Sequence, residues 1–390
     1  MTIVVTGGGS GGHITPLLAI ATEIKQQSPD TRIVYIGQRG DRFAKIVAKH
    51  TAIDDTKYIF AGKFRRYHGE GVKQLLDIKT VLLNFRDIFL ILLGIAQSFV
   101  ILGLLRPKKV FIKGGFVGVP VGLSAAVWHI PYITHDSDAM SGLANRIIAR
   151  WATLHAVALP KSNYAYPPEK TVIVGVPTSQ EYVYVDTTQR SFYRHELGIA
   201  DATQVVTITG GGLGAQNINT AVIAISEQLL RAYPGLYLLH FTGHHHEQQA
   251  IKKYNELPED LRRRVIVKGF ATDIYKYTGA ANVAIVRAGA TNMAEMAIQG
   301  IACVVVPNPV LTGGHQLKNA KAYTEKQAAV VVSEESLQDG KTLLVQIKKL
   351  LDDTELQKQL GLALHEFAYT DSAQRLATIV LADNPLTLVD

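Results

Sequence analysis

"VVTGGGSGGH", residues 4–13, and "TITGGGLGAQ", residues 207–216, are near copies within one chain. Each opens on β-branched residues, passes through Thr and three glycines, and runs on into a helix-like pattern. An apolar run that ends in a glycine turn reads as a buried parallel strand, with the turn leading into a crossover helix. The echo therefore predicts two α/β domains in tandem. The copies differ at their last position, His13 against Gln216.

Working outward, the first half alternates as such a domain should. "TIVVTG" (2–7), "RIVYIG" (32–37), "KVFIKGG" (109–115), "PYITHDSD" (131–138), "LHAVALP" (154–160) and "TVIVGVP" (171–177) read as strands, with helices expected at 14–27, 41–49, 120–129 and 142–152. The pattern restarts at "QVVTITGGG" (204–212) and continues through 236–243, 264–270, 282–290, 302–309 and 328–333. The polar, aromatic stretch 178–203 reads as the linker, 372–383 as a last helix, and the tail "NPLTLVD" as a frayed end. Short apolar runs separated by helices give parallel sheets with right-handed crossovers. The expected fold class is α/β, two tandem Rossmann-like domains with parallel sheets facing a central cleft.

Composition agrees. At roughly 150 residues per domain, 390 residues suit two or three domains, and 47% hydrophobic with 19% charged content describes an ordered chain. The single Cys303 excludes a disulfide framework, Cys-based zinc fingers and a CxxC redox pair; it sits in "IACVVVP" and reads as a buried, inert thiol. The N-terminus enters a strand with no basic region or cleavage site, so a cytosolic protein is expected.

The net charge of +7 is concentrated in residues 61–115, which hold ten Lys/Arg and three Asp/Glu. The same stretch contains "IFLILLGIAQSFVILGLL" (88–105), 18 residues without a charge, with Arg86 before it and Arg106, Lys108 and Lys109 after it. A membrane-crossing helix, a buried layer helix and a helix partly buried and partly docked on an anionic membrane are the three readings. "AGKFRRYHGEGVK" (61–73) sets aromatics among cations and favours the third. Nucleic-acid binding is not expected, because no helix-turn-helix, RRM or KH pattern accompanies the charge.

The glycine loops formally match the dinucleotide fingerprint, so an NADP-dependent oxidoreductase is one reading; Arg39 would suit a 2′-phosphate, but the acid that binds ribose is missing from both second strands. No GxxxxGK[ST] occurs. The loops fit close backbone approach and anion binding at helix N-termini better. "RAGATNMAEM" (287–296) opens another helix, whose N–H groups at Ala290, Thr291 and Asn292 would face an anion. Glu295 lies one turn in, suited to a ribose diol or, more plainly, a solvated first-turn acid.

Taken in order, "GGGSGGHITP", "GGFVGVP", "GGGLGAQNIN", "RAGATNMAE" and "VPNPVLTGGHQLKNA" resemble the MurG family over roughly residues 1–370. The resemblance implies the GT-B fold, with an acceptor and membrane-docking domain at 1–177 joined by the C-terminal helix near 370–390, and a UDP-sugar domain at 178–369. It implies an inverting transfer of GlcNAc from UDP-GlcNAc to a polyprenyl-diphosphate-linked muramyl peptide, at the cytoplasmic face of the membrane. Transfer to diacylglycerol and a non-catalytic UDP-sugar-binding role are the alternatives. His13 matches the family's base, with Gly114, Gly115 and His135 on the acceptor side. Donor positions carried over are Ser10, Gly11, Gly12, Asp138, Ser179, Gly212, Phe270, Ala271, Ala290, Thr291, Asn292, Met293, Ala294, Glu295, His315 and Gln316. No cofactor or metal is implied: "DSD" (136–138) falls in the acceptor half, and "HHHE" (244–247) reads as a solvated loop. Three positions depart from the family pattern, Asp138 for Asn, Ser179 for Arg and Gly212 for Ser.

Overall fold

A computed structural model describes residues 1–8, 11–41, 43–63, 78–211, 214–311 and 314–389. The chain divides into two compact units, one of residues 1–180, 310–315 and 369–390 and one of 181–309 and 316–368.

The first unit is built on seven parallel strands: β1 (Thr2–Thr6), β2 (Arg32–Gln38), β3 (Asp55–Ile59), β4 (Lys109–Ile112), β5 (Tyr132–Asp136), β6 (Leu154–Val157) and β7 (Thr171–Ile173), ordered β3-β2-β1-β4-β5-β6-β7. Val4 pairs with Val34 on one side and Val110 on the other, which makes β1 central. Both faces of such a sheet are covered, so its strands carry apolar residues without alternation; Ile3, Val4 and Val5 are fully buried. The edge strand β3, "DTKYI", was not anticipated, because an edge needs no apolar run on both faces.

The second unit repeats the plan with β8 (Gln204–Thr209), β9 (Leu236–Phe241), β10 (Val265–Lys268), β11 (Val283–Val286), β12 (Ala302–Val305) and β13 (Val330–Val331), ordered β10-β9-β8-β11-β12-β13. Each glycine loop thus follows the first strand of its own sheet, and each sheet reverses strand order beside that loop. Such a switch point is where open α/β sheets bind ligands. The expected linker holds a helix, Thr187–Glu196, capped by Asp186 accepting from Gln189 N at 2.7 Å.

The helix Ser372–Leu381 belongs to the first unit and packs its Leu376, Ala377 and Val380 with Ile14, Leu17 and Ile24 of the helix Gly11–Gln27. Residues 384–389 of the tail are ordered rather than frayed. Asn384 accepts from Leu386 N at 3.1 Å, Pro385 is buried, and Val389 packs on the core.

The longest element is the helix Ile78–Leu105 of the first unit, and its pattern is inverted. The stripe facing the protein is Thr80, Asp87, Gly94, Ser98 and Leu102. The outward face is Leu82, Phe85, Phe89, Leu92, Leu93, Val100 and Leu104, between 52% and 81% exposed. The inner stripe is anchored by polar contacts: Gln97 Oε1 accepts from Phe60 N at 2.8 Å, Asp87 Oδ2 from Lys63 N at 3.2 Å, and Ser124 Oγ donates to Ile95 O at 3.1 Å. By length and composition the span Thr80–Leu105 suffices to cross a membrane, yet only 17% of its apolar window is buried. It is no buried layer helix. The aromatic-cationic stretch beside it lies, over residues 64–73, outside the described residues.

Candidate functional site

The first site assembles at the carboxyl ends of β1, β4 and β5. The Tyr35 hydroxyl donates to Gly7 O at 2.7 Å and fixes the chain leaving β1. The helix Gly11–Gln27 then brings His13 back over Gly8, and His13 Nδ1 lies 3.0 Å from Gly8 O. A carbonyl only accepts, so Nδ1 carries the proton and Nε2 carries the lone pair. Burial lowers the imidazole to about 4, helped by Lys113 and opposed by Asp138 and the Gly8 carbonyl. The ring is neutral at pH 7.

The turn after β4 closes on this ring. Gly114 and Gly115 hold φ of +103° and +82°, where L side chains are strained. A Cβ on Gly115 would stand 2.7 Å from Gly8 O and 3.4 Å from His13 Nδ1, and one on Gly114 3.8 Å from His13 Nε2. Gly115→Ala is therefore expected to push the loop and ring apart. Strain of about 1–3 kcal/mol lowers the melting temperature by several degrees, and turnover falls about tenfold or more through misplacement of the base. Calorimetry and steady-state kinetics check this; an unchanged kcat shows that the turn does not position the ring.

β5 supplies the wall behind. His135 is fully buried, with Nε2 2.9 Å from Gly175 O and Nδ1 without a hydrogen-bond partner. Burial holds it well below the usual histidine range, so it ties β5 to the turn at Gly175 as a neutral ring. Asn145 Nδ2 donates to His135 O at 3.0 Å. Asp136 accepts from Gly142 N at 2.9 Å and from the Tyr166 hydroxyl at 2.7 Å, and burial raises its carboxyl. Lys113, unassigned from sequence, is buried here with Nζ 2.6 Å from Ser137 Oγ. Its signal was a cation directly between the apolar run Val110–Ile112 and the glycines. Asp138, which the resemblance makes a contact to the donor sugar from the acceptor half, lies on this wall, and its charge acts on His13 and Lys113. Gly12 is exposed in the helix's first turn, and Ser179 is half-buried.

The second site lies at the ends of β8 and β11 in the other unit. Gly289, extended, precedes the helix Ala290–Gln299 with no side-chain cap. The helix N–H groups of Ala290, Thr291 and Asn292 precede the first intrahelical bond, Met293 N to Gly289 O at 3.0 Å. Such a terminus favours an anion. The Asn292 amide faces the loop after β8, where a Cβ on Gly211 would be 3.5 Å from its Nδ2. Met293 is fully buried and Ala294 half-buried.

Glu295 is not a solvated first-turn acid. Burial raises its carboxyl to about 8, and it accepts a hydrogen bond from Tyr182, which the sequence did not single out. Gln316 Oε1 accepts from Asn308 N at 2.9 Å, while a Cβ on Gly289 would be 3.9 Å from Gln316 Nε2. His315 groups with the first unit and Gln316 with the second. Phe270 is exposed beside the His244 ring at 5.5 Å, with half-buried Ala271 next to it. Glu247 fixes that corner by accepting from Gly269 N at 2.8 Å. Arg287, at the end of β11, pairs with Glu334, which also accepts from Asn217 Nδ2 at 2.6 Å. Through Asn217, Glu334 ties the first turn of the helix Gln216–Ala232 to the end of β11, and this ion pair was also missed.

Ser10 and Gly212 lie outside the described residues. Among the described residues no group of three His, Cys, Asp or Glu could hold a metal ion. Cys303 is fully buried, and burial pushes its thiol up.

Residues 3–157 match the model of the glycosyltransferase family 28 N-terminal domain, and residues 205–376 that of the family 28 C-terminal domain. The UDP-N-acetylglucosamine--N-acetylmuramyl-(pentapeptide) pyrophosphoryl-undecaprenol N-acetylglucosamine transferase of Bacillus pumilus is 31% identical over 97% of this chain and 98% of its own. The transferase of that name from Limosilactobacillus reuteri is 30% identical over 97% and 98%. Among solved structures, MurG from Acinetobacter baumannii superposes with a TM-score of 0.70 at 21% identity, covering 97% of this chain and 98% of that one. The UDP-GlcNAc 2-epimerase from Neisseria meningitidis reaches 0.62 at 11%, covering 96% and 98%. At those identities the structures speak for the fold alone.

Proposed function

The chain belongs to the MurG family of glycosyltransferases, and on that premise we propose that it transfers GlcNAc from UDP-GlcNAc to the C4 hydroxyl of a polyprenyl-diphosphate-linked muramyl peptide in peptidoglycan synthesis. The observation that carries this reading is likeness to transferases of that activity at 30–31% identity over 97% of the chain. No single loop would suffice. Transfer to diacylglycerol and NADP-dependent oxidoreduction are not favoured.

The first unit takes the acceptor and the second the UDP-sugar. His13 Nε2 accepts the proton of the attacking hydroxyl as that oxygen bonds to the anomeric carbon. The bond from that carbon to the UDP phosphate breaks, and the electron pair leaves with UDP. The N-terminus of the helix Ala290–Gln299 faces the developing diphosphate charge, the task a divalent cation performs in other enzymes. Glu295 takes the ribose diol, Phe270 and Ala271 the uracil, and His315 and Gln316 the sugar hydroxyls. A base held near pH 4 is weak in the empty site. Arrival of the acceptor's diphosphate adds negative charge beside the ring and moves it toward the working range. The outward face of the helix Ile78–Leu105 docks on the cytoplasmic, anionic surface of the membrane, where the polyprenyl acceptor resides.

Labelled UDP-GlcNAc supplied with the muramyl lipid or with diacylglycerol tests the reading. Label is expected on the muramyl lipid; label on diacylglycerol alone overturns it. In a thermal-shift comparison UDP, without metal, is expected to raise the melting temperature and NADPH to leave it unchanged.

A further inference from the structure

We propose that Lys113 is a positioning residue for the transfer: its ammonium, buried between the His13 loop and the Asp136–Asp138 turn, holds that turn in place and sets the charge field in which the base takes its proton. The inference rests on the reading of His13 as the base.

Three observations carry it. First, the lysine is built into the loop. Lys113 N donates to Thr6 O at 2.9 Å, its stem lies against Gly7, where a Cβ would stand 3.1 Å from Lys113 Cβ, and Nζ donates to Ser137 Oγ at 2.6 Å. Second, the site is charged where the fold does not require it. The four residues of β4 before it are buried, and Lys113 itself is 2% exposed. A buried ammonium carries a desolvation cost that a Met or Leu at this position would avoid. Third, the compensating carboxylates come from one turn, Asp136 and Asp138, both of which act on the Lys113 charge. Asp138 stands where the family pattern has Asn, so the extra anion and the lysine form a matched set within this chain.

The set surrounds the base. The groups that face His13 are Lys113 at the end of β4, His135 and Asp138 from β5 and its turn, and His315 of the segment that groups with this unit. Lys113 opposes protonation of the ring and Asp138 favours it. The lysine is itself lowered to about 8 by burial, so it keeps most of its charge at pH 7. Removing the cation leaves Asp138 unopposed and raises the imidazole. Removing Asp138 lowers it.

The test is an NMR titration of the His13 imidazole in the full chain, paired with the pH profile of kcat/KM for GlcNAc transfer. In Lys113→Met the His13 midpoint is expected to rise by about one pH unit or more, and the acid limb of kcat/KM to rise with it, while UDP affinity stays put. In Asp138→Asn both are expected to fall. Unmoved His13 midpoints in the two variants overturn the inference. A midpoint that moves while the acid limb does not supports the Lys113 field and overturns the assignment of His13 as base. Should Lys113→Met fail to fold, Lys113→Gln decides: it removes the charge, keeps an N–H donor for Ser137 Oγ, and is expected to raise the His13 midpoint in the same sense, so an unmoved midpoint overturns the inference.

Discussion

His13→Ala is expected to lower kcat by about 10²- to 10⁴-fold, the range that a positioned general base supplies, with UDP affinity unchanged. The ring's assigned hydrogen bond is to a first-unit group: Nδ1 is held by Gly8 O, and Nε2 lies beside the Gly114 turn. Truncation removes the proton acceptor and leaves the helix N-terminus at Ala290 and the Tyr182–Glu295 pair intact. The sign with pH follows from the lowered imidazole. The neutral form works, so kcat/KM of the wild type is flat from neutral pH down and falls only as the ring protonates, well below the usual histidine midpoint near 6.5. The alanine variant lacks that acid limb. Single-turnover rates and UDP calorimetry separate the two outcomes. Equal losses in rate and UDP affinity make His13 a donor ligand, and a rate within a few-fold of wild type removes it from the chemistry.

How far the sequence led depends on which signal each residue carries. The glycine loops were legible because three glycines after a β-branched run are costly anywhere but a close approach, and their repetition announced two sheets of one plan. His13 was legible because it broke that repetition. Glu295 was legible as a position, but its burial was not, since Tyr182 reaches it from more than a hundred residues away in sequence. Lys113 was quoted within its strand and passed over, because nothing local says that Asp136 and Asp138 arrive from the next strand; only the β4–β5 pairing does. The same holds for Arg287 and Glu334. The polar stripe of the long helix was readable in principle, since Thr80, Asp87, Gly94 and Ser98 recur at spacings that stay on one helical face. An apolar run draws attention to its hydrophobic residues, and here the informative ones were the exceptions.

That stripe governs the second large effect. Phe85→Glu with Leu92→Glu is expected to move the protein from anionic vesicles into the supernatant while its melting temperature holds. The two side chains are 60% and 58% exposed and two turns apart on the outward face, so neither contributes to the core. Burying a large apolar side chain is worth about 1.5–3 kcal/mol. Losing two such insertions, and adding two carboxylates that must stay hydrated, lowers partitioning by about 10²-fold or more. Charge alone does not replace this. Of the flanking cations, Lys109 is buried, Arg86 is paired to the buried Asp87 at 2.8 Å, Lys108 pairs with Asp383 at 2.6 Å, and Arg106 is the exposed one that remains. High salt should therefore release a smaller share of the wild type than the double substitution does. Transfer to a short-chain, water-soluble acceptor should stay within a few-fold of wild type, because the helix is anchored through Asp87, Gln97 and the Ser124 contact, none of which is altered. Transfer to acceptor embedded in vesicles should fall with the bound fraction. A double variant that still sediments with vesicles would mean that this face meets something other than lipid, and equal loss on both acceptors would place the defect in the fold.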